Sequence, residues 1–149
     1  MKLEEEIKQE NFKSEIHKLA VNIIFTHSWL SYHQTHLLEK YNLTPQQYNI
    51  LRILRGQHPN PATINLLKER MLDKMSDASR LVERLRMKDL VERNHCKEDR
   101  RRAEVIITNK GLEVLKQLDI LEDKLNSVFN NINEEEAKTA NYLLDKIRG

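Results

Sequence analysis

The chain is poor in residues that bend, break or cross-link a backbone. Three glycines, three prolines and one cysteine serve 149 residues. So little Gly and Pro argues against a sandwich or barrel, which needs many tight turns. One cysteine, Cys96, excludes an internal disulfide framework and fits a reducing compartment. No apolar run approaches the length of a membrane span, so no membrane partner is expected. The opening residues Met1-Lys2-Leu3-Glu4-Glu5-Glu6 lack the apolar stretch of a secretory signal. A soluble cytoplasmic protein is therefore expected. There is no nucleophile elbow, no Gly-rich phosphate loop, no H-E-x-x-H and no paired-carboxylate arrangement, so catalysis is not expected. His33 and His36 are spaced i, i+3, but no second ligand pair joins them, so neither a metal nor another cofactor is expected.

Charge is what the chain has in plenty. Charged residues make up 32% of it, yet the net charge is only +2. The distribution says more than the total. Residues 68–102 hold 12 Lys/Arg against 8 Asp/Glu, while residues 112–149 hold 5 against 8. A basic middle and an acidic C-terminal third point to a polyanion-facing surface on the former and a different task for the latter.

The periodicity is helical. Ile16, Leu19, Ala20, Ile23, Ile24, Trp29 and Leu30 recur near period 3.6, and nothing breaks a helix between residues 13 and 40. Thr44, Pro45 and Gln47 form a capping box with proline at the first helical position. The helix they open is expected to bury Tyr48, Leu51 and Leu54 and to stop at Gly56. Pro59-Asn60-Pro61 reads as a rigid loop, and a short helix is expected over residues 64–71. Ser76 is expected to cap a helix over 77–88 with Ala78, Leu81, Val82 and Leu85 on its buried stripe. Residues 91–96 and 103–108 read as two strands of a hairpin around a charged tip. Leu112, Leu115, Leu118, Leu121, Leu125 and Val128 mark another helix, and Asn133 caps a last one that begins Glu134-Glu135-Glu136.

Residues 64–108 thus read as helix, four-residue turn, helix and hairpin, a helix-turn-helix followed by a wing. The face of the second helix opposite its apolar stripe carries Ser76, Ser79, Arg80, Glu83, Arg84 and Met87. That layout suits a recognition helix, whose N-terminal half meets base edges in the major groove of double-stranded DNA. Arg80 can bond guanine O6 and N7 together, Ser79 can donate or accept, and Asp77 can cap the helix or accept from cytosine. At the hairpin tip stand Lys97, Glu98, Asp99, Arg100, Arg101 and Arg102. Consecutive arginines on a narrow loop can enter a minor groove or lie along phosphates, with Asp99 fixing the pose of one of them. A solvated charge run on an ordinary turn is the alternative.

These residues resemble the MarR family of bacterial transcription regulators. The most specific part is Asp99-Arg100-Arg101 with Val105, Ile107-Thr108 and Gly111, similar to the family's D-x-R wing and the L-T-x-x-G that follows it. Leu85 to Arg93 is similar to its L-x-x-x-G-L-V-x-R, with Asp89 where glycine is usual and a left-handed conformation is needed. The resemblance covers nearly the whole chain and implies a mainly α fold, a single domain over residues 1–149. Within it, 42–108 would form the winged helix-turn-helix lobe, and 1–41 and 109–149 the helical dimerisation arms of a homodimer. Arg101 would be the wing-tip arginine and Asp99 its buttress. A sequence-specific, ligand-responsive repressor on a palindromic operator is the function implied.

Three features stay open at this level. Trp29, His33, Tyr48 and Arg52 either belong to the core or dimer contact, or line a cleft between arms and lobe. MarR-like proteins often bind small aromatic or phenolic effectors in such a cleft. Cys96 is either a plain strand cysteine or a redox sensor activated by Arg93, Lys97 or Arg100. The whole could also be a winged-helix protein-interaction module whose basic wing meets an acidic partner.

Overall fold

The computed structural model describes residues 2–95 and 103–149. The elements run α1 (Leu3–Ile7), α2 (Glu15–Leu38), a 3-10 turn (Glu39–Tyr41), α3 (Pro45–Gln57), β1 (Ala62–Thr63), α4 (Ile64–Arg70) and α5 (Ala78–Met87). They continue with β2 (Val91–His95), β3 (Ala103–Ile107), α6 (Asn109–Asn126), a second 3-10 turn (Ser127–Phe129) and α7 (Glu134–Arg148). The fold is mainly helical with a small antiparallel sheet in the order β1-β3-β2. Val91 pairs with Ile107 and His95 with Ala103, so β2 and β3 form the expected hairpin.

The sheet has one strand more than the sequence suggested. Ala62 pairs with Val105 and Thr63 with Glu104, which turns the end of the Pro-Asn-Pro segment into β1. Thr63 serves twice, because its Oγ1 also accepts from the Leu66 N–H (3.2 Å) and caps α4.

Helix ends follow local chemistry. At the start of α3, Thr44 Oγ1 accepts from the Gln47 N–H and Gln47 Oε1 accepts from the Thr44 N–H, both at 3.2 Å, as the capping box requires. The helix does not stop at Gly56; it runs through it to Gln57. The stop comes from Pro59. The residue before a proline is driven out of the helical region, and His58 duly sits at φ −54°, ψ 135°.

The core lies in one place. Ile50, Leu51 and Leu54 of α3, Leu67 of α4, Ala78, Val82 and Leu85 of α5, Val91, Val105 and Ile107 of the sheet, and Leu115 and Leu118 of α6 pack into one buried cluster. Leu81 joins it only from the edge, half-buried. Of all α2, Leu38 alone is buried, and no residue of α7 is. The stripe predicted along α2 is therefore real as a helix face but is only partly covered: Ile23 and Leu30 are half-buried, while Ile16 is 77% and Ile24 67% exposed.

Where β3 meets α6, the packing is tight. β3 and α6 are separated by Thr108 alone. Its Oγ1 accepts from the Gly111 N–H (3.0 Å) and donates to the Asp89 carbonyl (2.8 Å). Lys110 Nζ donates to the Lys88 carbonyl (2.9 Å). A Cβ at Gly111 would stand 2.4 Å from the Leu90 carbonyl oxygen and 2.7 Å from Ile107 Cγ1, so only glycine allows this approach. About two turns further along α6, Arg55 Nη1 of α3 donates to both carboxylate oxygens of Asp119, at 2.9 and 2.8 Å.

Candidate nucleic-acid interface

The helix-turn-helix is α4 and α5. The turn between them is held by Asp73: its Oδ1 accepts from the Met75 N–H (3.0 Å) and its Oδ2 from the Ser76 hydroxyl (2.8 Å). These bonds, the Ser76 one foremost, hold the Asp73 carboxyl below its ordinary pKa. On the far side of the turn, the Leu72 N–H donates to Asn49 Oδ1 of α3 (2.9 Å).

The cap of α5 differs from expectation. Ser76 does not cap it, because its hydroxyl is committed to Asp73. Asp77 takes the position, its Oδ1 accepting from the Arg80 N–H (3.1 Å). A capping carboxylate also favours the helix dipole. Asp77 is thus bound to backbone at the N-terminal end of α5.

From that cap, α5 divides as predicted. Ala78, Val82 and Leu85 are buried, while Arg80, Arg84 and Met87 are exposed and Ser79 and Glu83 half-exposed. Arg80 and Arg84, spaced i, i+4, lie on the same outer face. Arg86 is engaged elsewhere: its Nη2 lies 2.7 Å from Glu83 Oε1, and that bond lowers the Glu83 pKa and raises that of Arg86.

The C-terminal end of α5 is anchored. Asp89 adopts the left-handed conformation expected where the family has glycine, with φ 59°. Lys88 Nζ donates to the Asn42 carbonyl and to Gln47 Oε1 (3.2 Å) on α3. Burial, then the charge of Arg84, lowers its pKa. Sequence reasoning missed Lys88 as an anchor, since a lysine at a helix end is ordinarily solvated.

The predicted wing-tip residues Lys97, Asp99, Arg100, Arg101 and Arg102 lie outside the described residues, as does Cys96. The strands that carry them are in place, with His95 opposite Ala103 at the tip end.

The four residues of the suggested cleft form two pairs. On α2 the rings of Trp29 and His33 meet edge to face, centroids 4.8 Å apart. On α3 the Arg52 guanidinium lies 5.7 Å from the centre of the Tyr48 ring. Tyr48 is buried. Trp29 also lines a cavity of about 320 Å³ with Leu3, Glu6, Asn22, Phe25 and Thr26. None of His33, Tyr48 and Arg52 lines that cavity. Among the described residues, no group of three or more His, Cys, Asp or Glu is placed to hold a metal ion. Among them, too, no helix is long and apolar enough to cross a membrane.

The MarR family description matches residues 41–102, which hold α3, α4, the Asp77-capped α5 with its two outward arginines, and β2. The HTH-type transcriptional regulator MgrA of Staphylococcus aureus is 30% identical over 119 residues, which span 78% of this chain and 77% of MgrA.

The chain belongs to the MarR family.

As a MarR-family member it is a transcription regulator with a DNA-binding winged helix, from a family of regulators and not of enzymes. Solved structures agree on the fold. A mutant MarR from E. coli complexed with operator DNA superposes with a TM-score of 0.78 at 24% identity, over 93% of this chain and 99% of that one. Bordetella bronchiseptica BpsR, whose DNA binding is regulated by 6-hydroxynicotinic acid, gives 0.75 at 20% identity, over 89% and 99%.

Proposed function

We propose that this MarR-family chain acts as a homodimeric, ligand-responsive repressor on a palindromic operator, its two α5 helices entering successive major grooves. The observation that carries the reading is the two-sided build of α5, with Ala78, Val82 and Leu85 buried and Arg80 and Arg84 exposed behind the Asp77 cap. Ser76, Asp77, Ser79, Arg80 and Arg84 form the sequence-reading set. Lys97, Asp99, Arg100, Arg101 and Arg102 supply affinity and register through the backbone and minor groove. Residues 42–108 form the reading lobe; residues 1–41 and 109–149 form the arms through which two copies pair. The exposed apolar residues of α2 and α7 support that pairing, and a two-fold protein gains affinity from a two-fold site.

A small aromatic or phenolic effector docks near Trp29, His33, Tyr48 and Arg52 in this reading. BpsR supports it, being regulated by an aromatic acid. The effector favours one spacing of the two lobes over another, so DNA affinity falls by the difference in its own affinity for the two states.

Selection of bound duplexes from random DNA tests the reading. An inverted repeat is expected, its half-sites centred roughly 10 bp apart or a multiple of that. Arg80→Ala relaxes base preference at one position per half-site, and Arg101→Ala lowers affinity on all sequences and flattens its salt dependence. Recovery of no enriched sequence overturns the proposal.

A further inference from the structure

The turn before α5 holds two large apolar side chains out in water. Leu72 is 84% exposed and Met75 93%. Such exposure ordinarily belongs to loose chain, but this turn is tied down. The Met75 N–H is held by Asp73, the Ser76 hydroxyl beside it by the same carboxylate, and the Leu72 N–H by Asn49. The fold therefore fixes the backbone on which Met75 stands, and leaves its side chain without a packing partner among the buried core.

Position and surroundings name the occupant. Met75 stands two residues before the N-cap of α5, at the end that meets bases first. Its neighbours Lys74 and Asp77 are charged and exposed, and the exposed Arg80 follows one turn into the helix. A lipid surface or an apolar protein face laid on Met75 would have to desolvate those charges. It suits a surface that is itself polar and anionic with small apolar spots. The major groove is such a surface, and its apolar spot is the C5-methyl group of thymine.

We infer that Met75 reads sequence, packing its thioether side chain against the C5-methyl group of a thymine in each half-site. An unbranched, polarisable side chain adapts to the methyl without demanding one rotamer. The inference rests on the proposed docking of α5 in the major groove and adds to it a contact that the polar residues of that face do not make.

The test uses the full chain and a duplex recovered by selection, with each thymine replaced in turn by uracil, which lacks only the methyl group. Binding is titrated by fluorescence anisotropy. At one thymine per half-site the wild type loses roughly fourfold in affinity per base replaced, the value of one buried methyl. Met75→Ala shows no loss at that position, while Met75→Leu retains it. All three proteins keep the same salt dependence, because no phosphate contact has been removed. Their thermal unfolding also coincides, since Met75 lies outside the core. Uracil penalties that are equal in wild type and Met75→Ala at every position overturn the inference and leave the docking intact. So does a change of oligomeric state in Met75→Ala with its thymine preference unaltered, which would assign the side chain to a second copy. A wild type without sequence preference on the selected duplex overturns the docking as well, so the two failures are told apart.

Discussion

Leucine has two fates in this chain. On α5, Leu85 is fully buried; on α7, Leu144 is 38% exposed, and its neighbours Leu143 and Ile147 are more so. Both helices are amphipathic. The lobe of α3, α4, α5 and the sheet closes its apolar faces on one another and on the first turns of α6. On α2 only Leu38 is buried, and on α7 no residue is. An amphipathic stripe thus tells which side of a helix is sticky, and not whether the same chain will cover it.

The sharpest way to break this contrast is to charge the uncovered face. If the proposed homodimer pairs through α7, Leu143→Asp with Ile147→Asp is expected to convert it to a monomer in sedimentation velocity and to weaken operator binding more than 100-fold, the order expected when one half-site must hold alone. A variant still dimeric at the wild-type concentration would show that α7 is not the seam. The next largest effect comes from one substitution made in both regions. Leu85→Ala costs about 3 kcal/mol in urea unfolding at any protein concentration, because it opens a cavity in a closed core. Leu144→Ala is expected to cost less, and its cost should fall as the protein is diluted. A cost for Leu144→Ala that ignores concentration would mean α7 packs on its own chain.

At the junction of the regions, Gly111→Ala is expected to destabilise by about 2 kcal/mol, the usual cost of forcing a methyl into occupied space. Unfolding midpoints unchanged from wild type would contradict the close approach to Leu90. The smallest effect concerns the turn before α5. Hydrogen bonds from Ser76 and the Met75 N–H favour the charged Asp73 carboxylate, so its folded pKa is depressed. Such a group stabilises the fold above its unfolded value of about 3.9, and the contribution is lost as pH falls through the folded value. An NMR titration should place the Asp73 midpoint below 3.9, with the Met75 amide losing its exchange protection over the same range. A midpoint at or above the ordinary value would remove Asp73 as the organiser of the turn.

Much of the lobe was legible because its signals are local. The Thr44–Gln47 capping box, the buried stripe of α5, the hairpin and the left-handed Asp89 each depend on a few neighbouring residues, and each is present. The errors came from competition. Ser76 and Asp77 are both good caps, and the choice was settled by Asp73, which takes the serine hydroxyl. Gly56 and Pro59 are both helix breakers, and the proline prevailed because it acts on the residue before it. Strand β1 was invisible, since two residues carry no period and the pairing that makes them a strand is with Val105 and Glu104, more than 40 positions away. On the candidate site, the polar face of α5 was readable from spacing. The anchoring of Lys88 on α3 and the exposure of Met75 were not, because both depend on what folding brings near or leaves bare.

Thr108 leaves no slack between strand and arm. β3 and the 18-residue α6 meet across that one residue and form a bent lever. Its fulcrum is pinned to the carbonyls of Lys88 and Asp89, where α5 ends. Leu115 and Leu118 in the core and the Arg55–Asp119 pair hold the first turns of α6 to the same lobe. A shove on the far end of α6 is therefore expected to reach the last turn of α5 as a turn of the whole lobe.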